Sequence, residues 1–267
     1  MASTYLTALP VYNERQHVGG VLDETLRYSP DVLVVDDGST DGTAKLLQQR
    51  SDIQVVTHSE NRGYGAALKS AFEYALAHGY DVLVTIDCDG QHQPRQIPEM
   101  VAACQQADIV SGSRYLAPLP GNSKPPEERR YVNRVITAQI NRRLDLDLTD
   151  GFCGFKAYRV EALRKIELTE TGYAMPIQLW VEAVAADLKI VEVAVPLIYL
   201  EEERSFGGAL DDVATRLAIY RDVLRQSLLR RNLNTSAPVL GPPAEPAQPL
   251  DAGEMPPAES ACGETGR

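Results

Sequence analysis

Val82-Leu83-Val84-Thr85-Ile86-Asp87-Cys88-Asp89-Gly90-Gln91-His92 joins a very hydrophobic run, with Thr85 its one polar residue, to a polar, acidic turn. A run of that length without polar alternation is the pattern of a strand covered on both faces. If extended geometry persists past Ile86, Asp87 and Asp89 project to the same side, because side chains alternate with period two. Two converging carboxylates at the end of a buried strand need a cation. Hard oxygen donors with room left for water and phosphate suit Mg²⁺ or Mn²⁺ bridging a diphosphate, with Gln91 one period further on as an additional oxygen donor. A solvated acidic turn is the plain alternative, and His92 in the same turn is expected to hydrogen-bond locally.

Outward from this stretch the pattern repeats. Tyr5–Leu9, Val32–Val35, Ile53–Val56 and Asp108–Ser111 read as further strands. Between the strands, Glu14–Arg27, Thr43–Arg50, Ala66–Ala77 and Pro94–Gln105 carry apolar residues at three- and four-residue spacing and read as helices. The alternation predicts an α/β fold with a mostly parallel central sheet flanked by helices, whose ligands gather at the carboxyl ends of the strands. Two other strand ends are polar: Pro10-Val11-Tyr12-Asn13-Glu14 and Asp36-Asp37-Gly38-Ser39-Thr40-Asp41-Gly42, with Asn13 and Thr40 expected as helix N-caps. Asn61-Arg62-Gly63-Tyr64-Gly65 opens a helix with Gly-x-Gly, but Leu68 stands where a dinucleotide fingerprint needs its last glycine, which disfavours cofactor oxidoreduction. Asp150, in Thr149-Asp150-Gly151, is read as a turn residue rather than a base.

Composition sets the outer limits. The 267 residues are 44% hydrophobic and carry a formal charge of −11, which excludes a chain that grips nucleic acid by bulk charge. No apolar run is long enough to span a bilayer and the first ten residues lack the pattern of a signal peptide, so a cytoplasmic protein is expected. Cys88, Cys104, Cys153 and Cys262 are far apart and read as reduced and structural. Residues 232–267 hold seven prolines, five acids and one arginine, and are expected to form a disordered, acidic tail behind a folded unit at 1–231.

The ordered motifs Pro10-x-Tyr12-Asn13-Glu14, Val35-Asp36-Asp37-Gly38-Ser39-x-Asp41, Asn61-Arg62-Gly63-x-Gly65, Asp87-x-Asp89-Gly90-Gln91-His92 and Gly112-Ser113-Arg114-Tyr115 resemble those of family-2 glycosyltransferases. The likeness is greatest to the polyprenyl- and dolichyl-phosphate mannose or glucose synthases, and it extends over residues 4 to 225. It implies a GT-A fold, with a nucleotide-sugar-binding half at 1–115 and an acceptor half at 116–231. It implies that Pro10, Tyr12, Glu14, Asp37 and Gly38 serve the nucleoside of a GDP- or UDP-hexose, that Asp87, Asp89 and Gln91 hold metal and diphosphate, and that Arg204 touches the donor. It further implies that Arg114, Arg129 and Arg130 take the phosphate of a polyprenyl phosphate acceptor.

Asp150–Arg159 and Gln178-Leu179-Trp180-Val181-Glu182 are similar to family segments in the second half. The Glu-Asp pair that hydroxyl-glycosylating relatives carry on that helix is absent, which agrees with an acceptor that needs no base. Ala209 and Leu210 stand where the family has Ser-Lys, so one positive contact is missing there. The expected activity is inverting hexose transfer to polyprenyl phosphate. Two other readings stay open: transfer to a glycan hydroxyl, and a non-catalytic nucleotide-sugar-binding regulator. Arg129–Arg143 and Ala209–Arg231 each combine an apolar stripe with arginines, and are expected either to touch a membrane surface, to mediate oligomer formation or to pack on the domain.

Overall fold

The computed structural model describes residues 3–200 and 208–233. Strands β1 (Tyr5–Val11), β2 (Asp31–Asp36), β3 (Gln54–Thr57), β4 (Val82–Thr85), β5 (Ile109–Ser113), β6 (Lys156–Arg159) and β7 (Ile190–Ala194) form a single sheet in the order β3-β2-β1-β4-β6-β5-β7. All neighbours are parallel except β6, which runs antiparallel between β4 and β5. The helices are α1 (Val18–Thr25), α2 (Thr43–Leu47), α3 (Tyr64–His78), α4 (Ile97–Ala103), α5 (Glu127–Leu144), α6 (Val160–Leu163), α7 (Met175–Ala185) and α8 (Val213–Arg230).

The continuous apolar strands are explained by two cores, one on each face of the sheet. Leu6, Ala8, Leu33, Val35 and Leu83 face a core shared with α3, α5, α7 and α8. Leu9, Val11, Val32, Val34, Val82 and Val84 face the other, filled by Val18 and Leu22 of α1, Leu47 of α2, and Ile97 and Met100 of α4. Period two is still present, but both phases are apolar.

The two arginine-bearing stripes pack inward. Val132, Ile136 and Ile140 of α5 and Leu217, Tyr220, Leu224 and Leu228 of α8 are all buried in the first core. At about 1.5–3 kcal/mol for each large apolar side chain buried, these faces contribute their hydrophobic free energy to the fold, as the expectation that they pack on the domain has it. Among the described residues no helix is long and apolar enough to cross a membrane. The folded unit also extends past 231, since Leu233 packs against the first core and its N–H donates to the carbonyl of Leu228. The remainder of the expected tail, with Cys262, lies outside the described residues.

Candidate functional site

The ends of β1 and β2 are stitched to one another. Asn13 does not cap α1. It adopts a left-handed conformation (φ 57°), which asparagine tolerates, and its side-chain oxygen accepts from the backbone N–H of Thr40 (2.8 Å) and Asp41 (3.3 Å). Nor does Thr40 cap α2, which begins after Gly42; Asp41 accepts instead from the N–H and hydroxyl of Thr43. Helix α1 starts later than hydrophobic spacing alone predicts, because residues 12 to 17 are spent on this loop, whereas α2 starts at Thr43 as expected.

Above these strand ends lies a cavity of about 650 Å³. Its acidic half is lined by Pro10, Tyr12, Glu14, Asp37, Asp87, Asp89 and Gln91. Gly38 is not part of the lining. It sits at φ +73°, and a Cβ there would meet the carbonyl carbon of Glu60 at 2.4 Å, so it lets the β2 turn press against the 60–61 backbone. Asp37 is buried and held by three donors: the N–H groups of Arg62 (2.9 Å) and Gly63 (2.8 Å), and His58 Nδ1 at 2.6 Å. His58, which in turn meets the Ser70 hydroxyl at 2.9 Å, escaped the sequence reading although it directly follows β3 and obeys the same strand-end rule.

The chain turns at Cys88, so Asp87 and Asp89 do not sit on a prolonged strand, yet both carboxylates line the same cavity. Asp87 accepts a hydrogen bond from the Tyr64 hydroxyl (2.9 Å), and Asp89 accepts from the N–H of Gln91 (2.9 Å). Burial pushes both carboxyls above their ordinary range; the charge of Asp87 raises Asp89 further, while the Tyr64 hydrogen bond and the charges of Lys156 and Arg114 pull Asp87 back. His92 accepts from the N–H of Asp87 through Nδ1, and burial lowers it to about 4, so it is neutral at pH 7 and holds the turn. Room for Asp87 depends on Gly154, where a Cβ would collide with the carboxylate. Lys156, buried beneath, donates to the carbonyl of Cys153 and lies 5.2 Å from the Trp180 ring centre. Cys88, Cys104 and Cys153 are buried free thiols.

The donor set fits a hard divalent cation. Two oxygen-bearing side chains, both destabilised as anions by burial and by each other, gain from a positive charge between them. Among the described residues no group of three or more His, Cys, Asp or Glu is arranged for a metal, so further coordination has to come from Gln91, water or a phosphate-bearing ligand.

The other half of the lining is basic and aromatic: Arg114, Tyr115, Arg129, Asn133, Phe152, Tyr199, Arg216 and Tyr220. Arg114 follows β5 and is clamped by Asp150, with Nε to Oδ2 at 2.7 Å and Nη2 to Oδ1 at 3.0 Å. Asp150 is fully buried and also accepts from Asn133 Nδ2 (2.7 Å) and the N–H of Phe152 (3.1 Å). Burial alone would raise its pKa, but the charge and hydrogen bonds of Arg114 and the bond from Asn133 hold it well below the ordinary range. Asp150 is therefore the anchor of Arg114 rather than a turn residue. Its distance of 36 residues from Arg114 left no local signal of the pairing.

Arg129 lies 5.9 Å from the Tyr199 ring centre and reaches the cavity, whereas Arg130 is exposed and outside the lining. Arg216, 4% exposed on α8, is a further cavity arginine that the sequence reading had placed only in a stripe. Arg204 lies outside the described residues. On α7, Gln178 accepts from the N–H groups of Thr169 and Glu170, and Glu182 binds Arg230 and Arg231. Both are structural, and the basic half of the lining holds no carboxylate.

The match to the family model "Glycosyl transferase family 2" spans residues 7–167, which hold the carboxyl ends of β1 to β6. The chain belongs to glycosyl transferase family 2. The undecaprenyl-phosphate mannosyltransferase of Micrococcus luteus is 32% identical over 241 residues, covering 85% of this chain and 98% of that protein. The polyprenol monophosphomannose synthase of Mycolicibacterium smegmatis is 33% identical over 211 residues, covering 74% and 78% respectively. Among solved structures, glucosyl-3-phosphoglycerate synthase from Mycobacterium tuberculosis in complex with Mn²⁺, UDP and glucosyl-3-phosphoglycerate superposes with a TM-score of 0.65 at 20% identity, over 88% of this chain and 82% of that one. The same enzyme crystallised with Mg²⁺ and UDP gives 0.64 at 21% identity, with coverages of 88% and 82%. At that identity the likeness speaks for the fold, which agrees with the GT-A expectation.

Proposed function

We propose that this family-2 glycosyltransferase is an inverting, metal-dependent enzyme that moves a hexose from a nucleoside diphosphate sugar to the phosphate of a polyprenyl phosphate. The observation that carries this reading is that one cavity is lined both by Asp37, Asp87 and Asp89 at strand ends and by Arg114, Arg129 and Arg216. The two relatives named above, by their names, act on such lipid acceptors or form such products.

Asp37, with Pro10, Tyr12 and Glu14, receives the nucleoside. Asp87 and Asp89, with Gln91, hold the metal ion and face the diphosphate. Bound there, Mg²⁺ or Mn²⁺ neutralises the charge that develops on the departing diphosphate. Arg114 and Arg129 receive the acceptor phosphate, and the Asp150 clamp fixes the plane of the Arg114 guanidinium before the acceptor arrives. A phosphate monoester, with a second pKa of about 6, is already ionised at neutral pH. Its oxygen bonds to the anomeric carbon from one side while the bond to the diphosphate oxygen breaks on the other, and the electron pair leaves with the nucleoside diphosphate. No proton has to be removed, in keeping with the missing base. Lipid acceptor and soluble donor meet with the enzyme at the cytoplasmic membrane face, reached from the surface.

The test is incubation of purified protein with polyprenyl phosphate, Mg²⁺ or Mn²⁺ and a panel of GDP- and UDP-hexoses. A lipid-extractable hexosyl phosphate from at least one donor is expected. Transfer confined to glycan hydroxyls, or nucleotide binding without turnover under every combination, would overturn the reading.

A further inference from the structure

The Gly63-x-Gly65 motif is not absorbed by the donor and acceptor roles assigned above. Its two glycines are where the 169–174 segment lies directly on the start of α3. A Cβ on Gly63 would meet the carbonyl oxygen of Thr171 at 2.5 Å, and one on Gly65 would meet that of Glu170 at 2.7 Å and Met175 Cβ at 2.9 Å. The N–H of Ala66 donates to the Thr171 carbonyl at 3.1 Å, which locks the contact. From the other side the segment is held by Gln178 Oε1, at 2.9 Å from Thr169 N and 2.7 Å from Glu170 N, and by Arg230 Nη1 on the Thr169 hydroxyl at 2.6 Å.

What this fixed segment presents is Tyr173. Its ring stacks on Tyr64 with centres 5.6 Å apart and planes 15° from parallel, and Tyr64 is itself tied to Asp87 through its hydroxyl. Tyr173 nevertheless remains 42% exposed and lines the cavity. Through Tyr64 the ring is one side chain removed from the Asp87 carboxylate, and burial together with the negative charges of Asp87, Asp37 and Asp89 raises its hydroxyl.

An immobilised aromatic face in a cavity otherwise set with charged groups suits the apolar C–H face of a pyranose. The transferred sugar hangs from the far phosphate of the donor, so the surface adjoining Asp87 is within one linkage of its anomeric carbon. We infer that Tyr173, backed by Tyr64 and carried by the segment that Gly63 and Gly65 admit, is the platform for the donor's hexose ring and contributes to the choice of sugar. This rests on the nucleotide-sugar reading of the cavity and adds a subsite to it.

Calorimetry with Mg²⁺ separates the two layers, using GDP-mannose, UDP-glucose, GDP and UDP as probes. For whichever nucleotide the unmodified protein binds, Tyr173→Ala is expected to weaken the nucleotide hexose about tenfold, the upper range for an aromatic contact, while the free nucleoside diphosphate stays within about twofold. Tyr173→Phe should keep both affinities. Gly65→Ala, which displaces the segment without touching the ring, should repeat the selective loss. Equal weakening of nucleotide hexose and nucleoside diphosphate would make Tyr173 a nucleotide contact and overturn the inference, as would unchanged nucleotide-hexose affinity in Tyr173→Ala. Failure of the unmodified protein to bind any of the four would instead bring down the nucleotide-sugar reading beneath it.

Discussion

The two halves of the cavity are built in opposite ways. Among the acidic lining residues, the carboxylates follow strand ends and draw on backbone N–H groups, Asp37 on those of Arg62 and Gly63 and Asp89 on that of Gln91, with the His58 and Tyr64 side chains completing the hold on Asp37 and Asp87. In the basic half, the charges stand on helices or are aimed by other side chains, as Arg114 is by Asp150. The difference matches what the proposed function asks of each group. A carboxylate pair raised by burial holds its electrostatic cost in reserve until a cation relieves it, whereas an arginine already paired to a buried acid is paid in advance and contributes orientation.

The largest effect that tests this contrast is on the acidic side. Asp89→Ala removes one of the two carboxylates proposed to hold the metal ion against the departing diphosphate, and turnover is expected to fall on the order of 10²-fold or more. EDTA should abolish activity in the unmodified protein, with Mg²⁺ or Mn²⁺ restoring it. Undiminished turnover of Asp89→Ala in metal-free buffer would remove the metal from the scheme.

Gly154→Ala should come next. The new methyl group occupies the place of the Asp87 carboxylate, so the expected result is strongly reduced metal-dependent donor affinity, with a stability loss of about 1–3 kcal/mol from overpacking measured by denaturant unfolding. Normal donor affinity would mean that Asp87 has another position from which to act.

On the basic side, Asp150→Asn leaves Arg114 in place but removes its buried counter-charge. Breaking such a pair costs about 3–5 kcal/mol, and acceptor KM should rise while donor affinity is kept. The pH dependence gives the sign. Because the folded-state pKa of Asp150 is depressed, its stabilisation is complete above the unfolded value near 4 and is lost as pH falls through the folded value. The unmodified protein should therefore lose this contribution only below about pH 4, and the Asn variant should lack that component of its acid unfolding. A smaller change separates two adjacent residues: Arg129→Ala should raise acceptor KM several-fold, and Arg130→Ala, an exposed charge, should leave it within about twofold. Equal effects would mean that the acceptor reaches beyond the cavity wall.

The same contrast governs what could be read in the sequence. The five strands of the first half and the Asp87-x-Asp89 pair were legible because strand continuity and strand-end chemistry are local patterns. The Arg114–Asp150 clamp was not, since nothing in the spacing of two residues on different elements shows that β6 will reverse direction and bring the segment before it beside β5. The stripes on α5 and α8 were ambiguous for a different reason. A helix that buries Ile136 or Leu224 against a sheet and one that buries it in lipid have the same periodicity, and only the presence of α3 and α7 on that face of the sheet decides. Even the correct convergence of Asp87 and Asp89 came from a premise the fold does not keep, because a turn at Cys88 does what a longer strand was expected to do.

The antiparallel β6 also sets a schedule for biosynthesis. Strands β1 to β4 lie side by side in the sheet, and only β4 also pairs with a later strand, β6, so the four can assemble as soon as residue 85 has left the ribosome. β5, by contrast, pairs only with β6 and β7. Residues 109–113 thus emerge as a strand with no partner until 156–159 have been made. During that interval the nascent chain exposes two unsatisfied edges, on β4 and on β5, of the kind that recruit foreign strands. The span from β5 to β6 is for this reason the part of the molecule in which slow translation or a destabilising substitution should first appear as aggregation rather than as lost catalysis.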